Sequence, residues 1–247
     1  MDPRLASFLA AVACIPAFFY LTYRSLAPYE ATMPGHRIGG SMFYPGIAGF
    51  ALGIVHATMD PSLIGAGYGG LSYLVLYPLI ETYMLIVIFN RTFFFKQPAT
   101  PVYFGMGGGA LALGMAFVEV YRSLLVPSPA YGDFGLFLVL AVLATAFVLF
   151  HASKGLILGT YYAVGSRRRG VLVTMLLEAP FGALLLTAHF PQVDAGPLVA
   201  LLVIYAAVLY YFTWHLFFQK RMPEELRQAI TQERKRARRV ALAKERK

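Results

Sequence analysis

The chain has 247 residues, of which 58% are hydrophobic and only 13% are charged, and its mean hydropathy is +0.63. Soluble domains carry about a quarter charged residues, so this composition excludes a water-soluble enzyme, a disordered protein and a nucleic-acid-binding domain as the main body. At roughly 20 residues per span plus loops, the length accommodates about seven membrane helices. The sequence therefore predicts an all-α, polytopic helix bundle, integral to the cell membrane and multi-pass.

Apolar segments predict seven spans along the chain. In chain order they are 5–23, 43–64, 70–95, 102–126, 134–165, 171–190 and 198–218. We interpret 5–23 as a retained helix rather than a signal peptide, because its apolar run is long and no clear small-x-small cleavage site follows. Glycines together with His56 and Asp60 lower the hydrophobicity of the second span.

The distribution of Lys and Arg between loops predicts the orientation. The loops predicted to face inwards contain Arg24, Arg37, Arg91, Lys96 and the run Arg167-Arg168-Arg169. The loops predicted to face outwards, around Pro61, Ala130 and Val193, contain no Lys or Arg. Short cytoplasmic loops carry an excess of these residues, so the N-terminus is predicted outside and the C-terminus in the cytoplasm.

A basic tail follows the last apolar segment. Residues 220–247 contain eleven Lys or Arg against four Glu. Because this run adjoins an apolar helix, its expected anionic partner is the lipid headgroups of the membrane, and not nucleic acid. Pro223, followed by Glu224 and Glu225, suits the start of a helix whose later turns are basic. The chain is thus divided into a seven-helix transmembrane domain, 1–219, and a basic cytoplasmic tail, 220–247, predicted to be helical.

Ionisable side chains within the predicted spans are functional candidates, since charge is costly in hydrocarbon. They are Glu81, Glu119, Arg122, His151, Lys154 and Glu178. Glu119 and Arg122 are three residues apart, as are His151 and Lys154, so each pair shares a helix face. Arg122, near the outer end of its span, is expected to neutralise carboxylates between helices. Lys154 can pair with Glu178 or with Glu81, and the sequence does not decide between these two partners.

Three carboxylates and one imidazole on four separate spans admit two interpretations. Glu81, Glu119, His151 and Glu178 could coordinate a divalent metal such as zinc. They could equally form a buried, hydrogen-bonded polar cluster in which one or more carboxylates carry a proton. No two-ligand spacing such as His-Glu-x-x-His occurs in the sequence, so ligand spacing alone gives only a weak indication of a metal.

Small residues recur at four-residue spacing in two spans. The glycines concerned are Gly105, Gly109 and Gly114 in the fourth span, and Gly155 and Gly159 in the fifth. Such faces let helix backbones approach closely. The approaching helix can belong to this chain or to a partner subunit, and the pattern alone fits both.

The content of the predicted spans disfavours two classes of membrane protein, the aspartyl intramembrane proteases and the inverted-repeat transporters. The four aspartates, Asp2, Asp60, Asp133 and Asp194, all fall in predicted tails or loops, so the sequence offers no pair of membrane aspartates for an aspartyl intramembrane protease. No strong internal repeat suggests an inverted-repeat transporter. A proton-coupled transporter or channel therefore ranks last among the functional hypotheses.

Four stretches resemble a superfamily of glutamate-dependent intramembrane proteins. The stretches are 78–82, 109–121, 150–159 and 176–180. The superfamily includes the PrsW-type proteases, the CAAX-processing Rce-type proteases and the anterior-pharynx-defective (Aph) scaffold subunit of γ-secretase. The similarity extends over most of the chain outside the basic tail.

The PrsW-type pattern is matched only in part. It has Glu-Glu in the first stretch, Glu-Asn in the second, and a His in each of the other two. Here Glu81 is followed by Thr82, Glu119 lacks the following Asn, His151 matches, and Glu178 stands where the last His would be. If the chain is active, the resemblance implies Glu81 as general base, with the other three as ligands or polarising groups.

The Aph layout is similar in more respects. That subunit has seven spans with its N-terminus outside, a single Glu in the third, a Gly-xxx-Gly fourth, a His in the fifth and a basic loop before the sixth. Glu178 and Glu119 depart from it. The resemblance implies a non-catalytic scaffold, without cofactor, whose partner is a presenilin-like aspartyl protease. We favour this hypothesis because a carboxylate in place of an imidazole changes metal preference and nucleophile chemistry. An active PrsW-like glutamate- or metal-dependent protease is the alternative.

Overall fold

The structure is a computed structural model that describes residues 35–58, 72–90, 99–125, 133–188 and 195–222, together with scattered residues between 224 and 239. Within these ranges, the side chains of 35–36, 57–58, 72–73, 119–125, 133–140, 186, 188 and 195 are not described. The predicted first span, 5–23, and most of the basic tail lie outside the described residues.

All regular elements of the described residues are helical. They are α1 (Gly35–Thr58), a π-helical turn (Ser72–Leu76) leading into α2 (Tyr77–Phe89), α3 (Thr100–Leu125), α4 (Asp133–Ala163), α5 (Arg167–Ala188), α6 (Ala195–Tyr211), a second π-helical turn (Phe212–Phe217) and α7 (Phe218–Arg221). The predicted all-α class is confirmed for this part of the chain. The helices coincide with the second to seventh predicted segments, with edges that differ by several residues.

Four stretches of the described residues are long and apolar enough to cross a membrane. They are Arg37–His56, Thr100–Val118, Ala141–Ala163 and Gly196–Arg221, and a shorter apolar helix covers Leu74–Phe89. Large apolar side chains such as Phe43 and Val208 are exposed on the outer faces of α1 and α6. This arrangement is compatible with a protein that lies in a membrane.

Helix α3 lies at the centre of the bundle, packed between α1 on one side and α4 on the other. Helix α4 also packs against α5 and α6. Aromatic rings fill the space where α2, α3 and the end of α4 meet: Phe104 lies 4.7 Å from Phe89 and 5.3 Å from Tyr162, measured between ring centroids. Helix α4 therefore has neighbours on several sides and carries the side chains that the site requires.

The contact between α3 and α4 depends on glycine in both helices. A Cβ atom on Gly108 would clash with the carbonyl oxygen of His151, and one on Gly155 would clash with the carbonyl oxygen of Phe104. Because the obstructing atoms belong to backbone, neither clash can be relieved by turning a side chain. The two helices are held at a separation that any larger residue would increase.

Of the five glycines singled out in the sequence, all except Gly109 are shown to lie at contacts within this chain. A Cβ on Gly105 or Gly159 would meet atoms of the opposite helix across the α3–α4 contact, and Gly114 lies against the backbone of α1. Gly109 is buried in α3. The spacing allows packing within the chain or against a partner subunit, and the structure shows packing within the chain at Gly105, Gly114 and Gly159.

Candidate functional site

Four ionisable side chains from three helices meet in the interior of the bundle. Glu81 comes from α2, His151 and Lys154 from α4, and Glu178 from α5; their relative exposures are 3%, 1%, 0% and 5%. We refer to these four residues as the polar cluster. Glu81 and Glu178 are far from His151 and Lys154 in sequence. They reach the cluster because α5 packs against α4, and α2 packs against α1, α3 and α5.

Lys154 joins the two carboxylates. Its Nζ donates hydrogen bonds to Glu81 Oε2 at 2.8 Å and to Glu178 Oε2 at 2.6 Å. The sequence left open which glutamate would pair with this lysine, and in the structure it pairs with both. One ammonium group thus connects α4 to α2 and to α5.

The imidazole of His151 has its hydrogen-bonding roles set by the backbone. Its Nδ1 lies 2.7 Å from the carbonyl oxygen of Phe147, one turn earlier in α4. A carbonyl oxygen only accepts, so Nδ1 carries a hydrogen and donates it. The other nitrogen, Nε2, lies 2.9 Å from Glu81 Oε2 and 3.7 Å from Glu178 Oε1.

These roles require one more proton in the polar cluster. With Nδ1 protonated, a neutral His151 presents a lone pair at Nε2, and a carboxylate oxygen of Glu81 also presents lone pairs. A hydrogen bond between the two therefore needs a proton on one of them. The polar cluster then has no net charge, because the ammonium of Lys154 and this proton balance the two carboxylates. A low-dielectric interior tolerates a neutral cluster best.

Three phenylalanine rings surround the imidazole of His151. The ring centroids of Phe147, Phe150 and Phe181 lie 4.2, 5.1 and 6.2 Å from that of His151. Phe150 and Phe181 are stacked on each other at 4.1 Å. These rings shield the imidazole from water and fix its orientation. Sequence reasoning missed them, although Phe147 precedes His151 by four residues, the spacing that places both on one helix face.

Each glutamate lies close to a proline in its helix. Pro78 is in the first turn of α2, three residues before Glu81, and Pro180 is inside α5, two residues after Glu178. Proline has no N–H to donate within a helix, so it disturbs the regular hydrogen bonding nearby. Beside Pro180, the hydroxyl of Tyr205 on α6 donates to the carbonyl oxygen of Leu177 at 2.7 Å. This bond ties α6 to the segment that carries Glu178.

The sequence also allows these residues to be interpreted as ligands of a divalent metal. One ligand atom from each of Glu81, His151 and Glu178 can be chosen so that all three lie within 4.8 Å of one another. A nitrogen and two oxygens at such distances match the ligand types of zinc. However, the ammonium of Lys154 already bonds to both carboxylates. With Lys154 in place, the residues do not fit a divalent metal.

Two further predicted site residues, Glu119 and Arg122, have side chains outside the described residues. Their backbones belong to α3, and nothing places their side chains in or out of the polar cluster. Thr82, next to Glu81, is fully buried, and its hydroxyl has no hydrogen-bond partner among the described residues.

No protein-family model, curated protein or solved structure matches this chain.

Proposed function

We propose that this chain is a non-catalytic scaffold subunit of an intramembrane protease complex, spanning the cell membrane seven times with its N-terminus outside. The observation that supports the proposal most is the position of Lys154, with hydrogen bonds to both Glu81 and Glu178. The polar cluster then has a structural role: it joins three helices through charge-assisted hydrogen bonds.

The bonding within the polar cluster is unlike that of a hydrolytic site. A hydrolase that activates water needs a carboxylate free to accept a proton, and space next to it for water and substrate. Here both carboxylates accept from Lys154, and Glu81 and Glu178 are only 3% and 5% exposed. The observation that favours the alternative, a PrsW-like protease, is the close spacing of Glu81, His151 and Glu178.

The partner in this proposal is a presenilin-like aspartyl protease, as the Aph resemblance implies. An apolar groove of about 380 Å³ between α1 and α3 offers a place for one of its helices. The small residues Gly46, Ala110 and Gly114, where α1 and α3 touch each other, form part of its lining. Ile47, which also lines it, is 55% exposed. We propose that a transmembrane helix of the partner lies in this groove.

The basic tail supplies the second interaction, with anionic lipid headgroups at the cytoplasmic surface. Arginines at that end of the bundle lie over aromatic rings. The Cζ atom of Arg167 is 4.3 Å from the ring centroid of Tyr162, and that of Arg221 is 4.9 Å from the ring centroid of Phe217. Such pairs are typical of the headgroup level of a membrane, where an aromatic ring contacts apolar chains on one side and charged groups on the other.

Affinity purification of the tagged full chain from its native membranes tests the scaffold proposal. We expect a membrane aspartyl protease to be recovered with it, and recovery only as a single protein would overturn the proposal. A photo-crosslinking side chain at Ile47 should capture the same partner. The matched control is Leu176, which lies on the outer face of α5 and is 72% exposed; equal capture at both positions would contradict the groove assignment.

Assays of the purified chain separate the scaffold from the protease alternative. The scaffold proposal expects no cleavage of membrane peptide substrates by the wild-type chain. Cleavage that is lost in both Glu81→Gln and His151→Ala would establish the protease instead. Cleavage of equal rate in all three proteins would come from a contaminant, and would leave the scaffold proposal standing.

A further inference from the structure

We infer that the ammonium group of Lys154 occupies the position that a divalent metal ion would otherwise take between Glu81, His151 and Glu178. We call this position the latent site. The inference goes beyond the scaffold role: it says what the three ligands would bind if the lysine were removed, and which chemical class that ligand belongs to. It depends on the structural role proposed for the polar cluster, but not on the identity of any partner.

The distances between the candidate ligand atoms are those of a compact metal site. Zinc binds nitrogen and oxygen ligands at about 2.0–2.2 Å in tetrahedral sites, which places ligand atoms about 3.4 Å from one another. His151 Nε2 lies 2.9 Å from Glu81 Oε2 and 3.7 Å from Glu178 Oε1. These two separations bracket the tetrahedral value, and one ligand atom from each residue can be chosen so that all three lie within 4.8 Å of one another.

The orientation of His151 is also that of a metal ligand. Metal-binding histidines donate their second ring N–H to a carbonyl or carboxylate, which fixes the tautomer and aims the lone pair at the metal. In this chain, Nδ1 of His151 bonds to the carbonyl oxygen of Phe147 at 2.7 Å, and Nε2 faces the two carboxylates. The arrangement is therefore preorganised before any ion arrives.

Charge explains why the site is closed to metal in the wild-type chain. Lys154 and the proton held between His151 and Glu81 supply two positive charges, the same number that one divalent ion would supply. A divalent ion added beside the ammonium would leave a net positive charge in a fully buried position, which is strongly unfavourable. Removing Lys154 leaves two carboxylates and a neutral imidazole, whose charge one divalent ion balances.

The experiment measures zinc in the full-length chain, purified in lipid nanodiscs and equilibrated with zinc before unbound metal is removed. We expect wild type to retain only background zinc and to show the same thermal unfolding midpoint with zinc and with chelator. Lys154→Ala should retain about one zinc per chain. Its unfolding midpoint should rise in zinc and fall in chelator, because a ligand that binds only the folded state stabilises it. Lys154→Ala/His151→Ala is the matched control and should lose the zinc.

Each other outcome counts against the inference. Stoichiometric zinc in wild type that is lost in His151→Ala would show that the lysine does not exclude metal. A folded Lys154→Ala chain without zinc would show that the latent site does not exist. If Lys154→Ala fails to accumulate in ordinary medium, zinc in the medium should restore it, and failure to do so would also overturn the inference. Recovery of the partner is scored separately, so either proposal can fail without the other.

Discussion

Gly108 on α3 lies directly against the backbone carbonyl of His151 on α4, with no room for a Cβ atom between them. The contact links the two most closely packed helices to the residue that lies at the centre of the polar cluster. Any residue larger than glycine at this position must move α4, and with it the imidazole that faces Glu81.

We expect Gly108→Ala to destabilise the protein by about 1–3 kcal/mol, the usual cost of inserting atoms into a well-packed interior. Gly39→Ala is the matched control, because a Cβ there meets nothing within 4 Å. Alanine favours helix over glycine by roughly 0.5–1 kcal/mol, so the control should gain stability. Thermal unfolding in nanodiscs measures both. A stabilising effect of Gly108→Ala would contradict the close contact seen between α3 and α4.

Replacing Lys154 by methionine removes a buried cation and leaves two carboxylates without it. Loss of one partner of a buried ion pair costs about 3–5 kcal/mol. We therefore expect Lys154→Met, kept in chelator so that no divalent ion replaces the ammonium, to unfold at a much lower temperature than wild type. Adding Glu178→Gln removes one of the two negative charges and should recover part of the loss. If the double variant is no more stable than Lys154→Met, the lysine stabilises the bundle by packing and not by charge.

The hydroxyl of Tyr205 provides a smaller test of the same region. It donates to the carbonyl oxygen of Leu177, beside Pro180. We expect Tyr205→Phe to cost about 0.5–1.5 kcal/mol, the net value of a typical hydrogen bond. Tyr211→Phe is the control, since Tyr211 is 62% exposed on the outer face of α6, and it should leave the unfolding temperature unchanged. Equal effects of the two substitutions would contradict the bond.

The basic tail should be protected by anionic lipid. Juxtamembrane Lys and Arg each contribute about 1 kcal/mol of attraction to an anionic surface. We therefore expect trypsin to cleave the tail of the full chain more slowly in nanodiscs with anionic lipid than in neutral ones. Added salt should abolish the difference through screening. Replacing the exposed Lys235, Arg236 and Arg239 by Gln should reduce the difference, even at trypsin sites that remain, and an unchanged difference would contradict the interaction.

The sequence predicted the helical segments of the described residues, because long apolar runs of this kind rarely form any other structure than a helix. It also predicted that Glu81, His151 and Glu178 belong together, because burying charge in apolar helices demands partners. It did not decide between the two partners of Lys154, since that depends on how α2 and α5 are rotated about their axes. Hydropathy carries no information on such rotations.

Backbone atoms account for most of what the sequence did not reveal. The carbonyl oxygen of Phe147, which fixes the tautomer of His151, is present whatever residue occupies that position. Gly108 was overlooked beside the Gly105–Gly109 spacing, because a run of glycines does not show which of them faces the neighbouring helix. The two π-helical turns, Ser72–Leu76 and Phe212–Phe217, likewise have no sequence pattern of their own.

The polar cluster has a consequence for the order in which the chain is made. Both of its nitrogen-bearing residues come from α4, and Glu81 precedes His151 by 70 residues, whereas Glu178 follows Lys154 by only 24. During synthesis, Glu81 emerges long before either of its partners. The carboxylate of Glu81 therefore cannot pair with Lys154 until α4 has left the ribosome, and Glu178 on α5 follows soon afterwards.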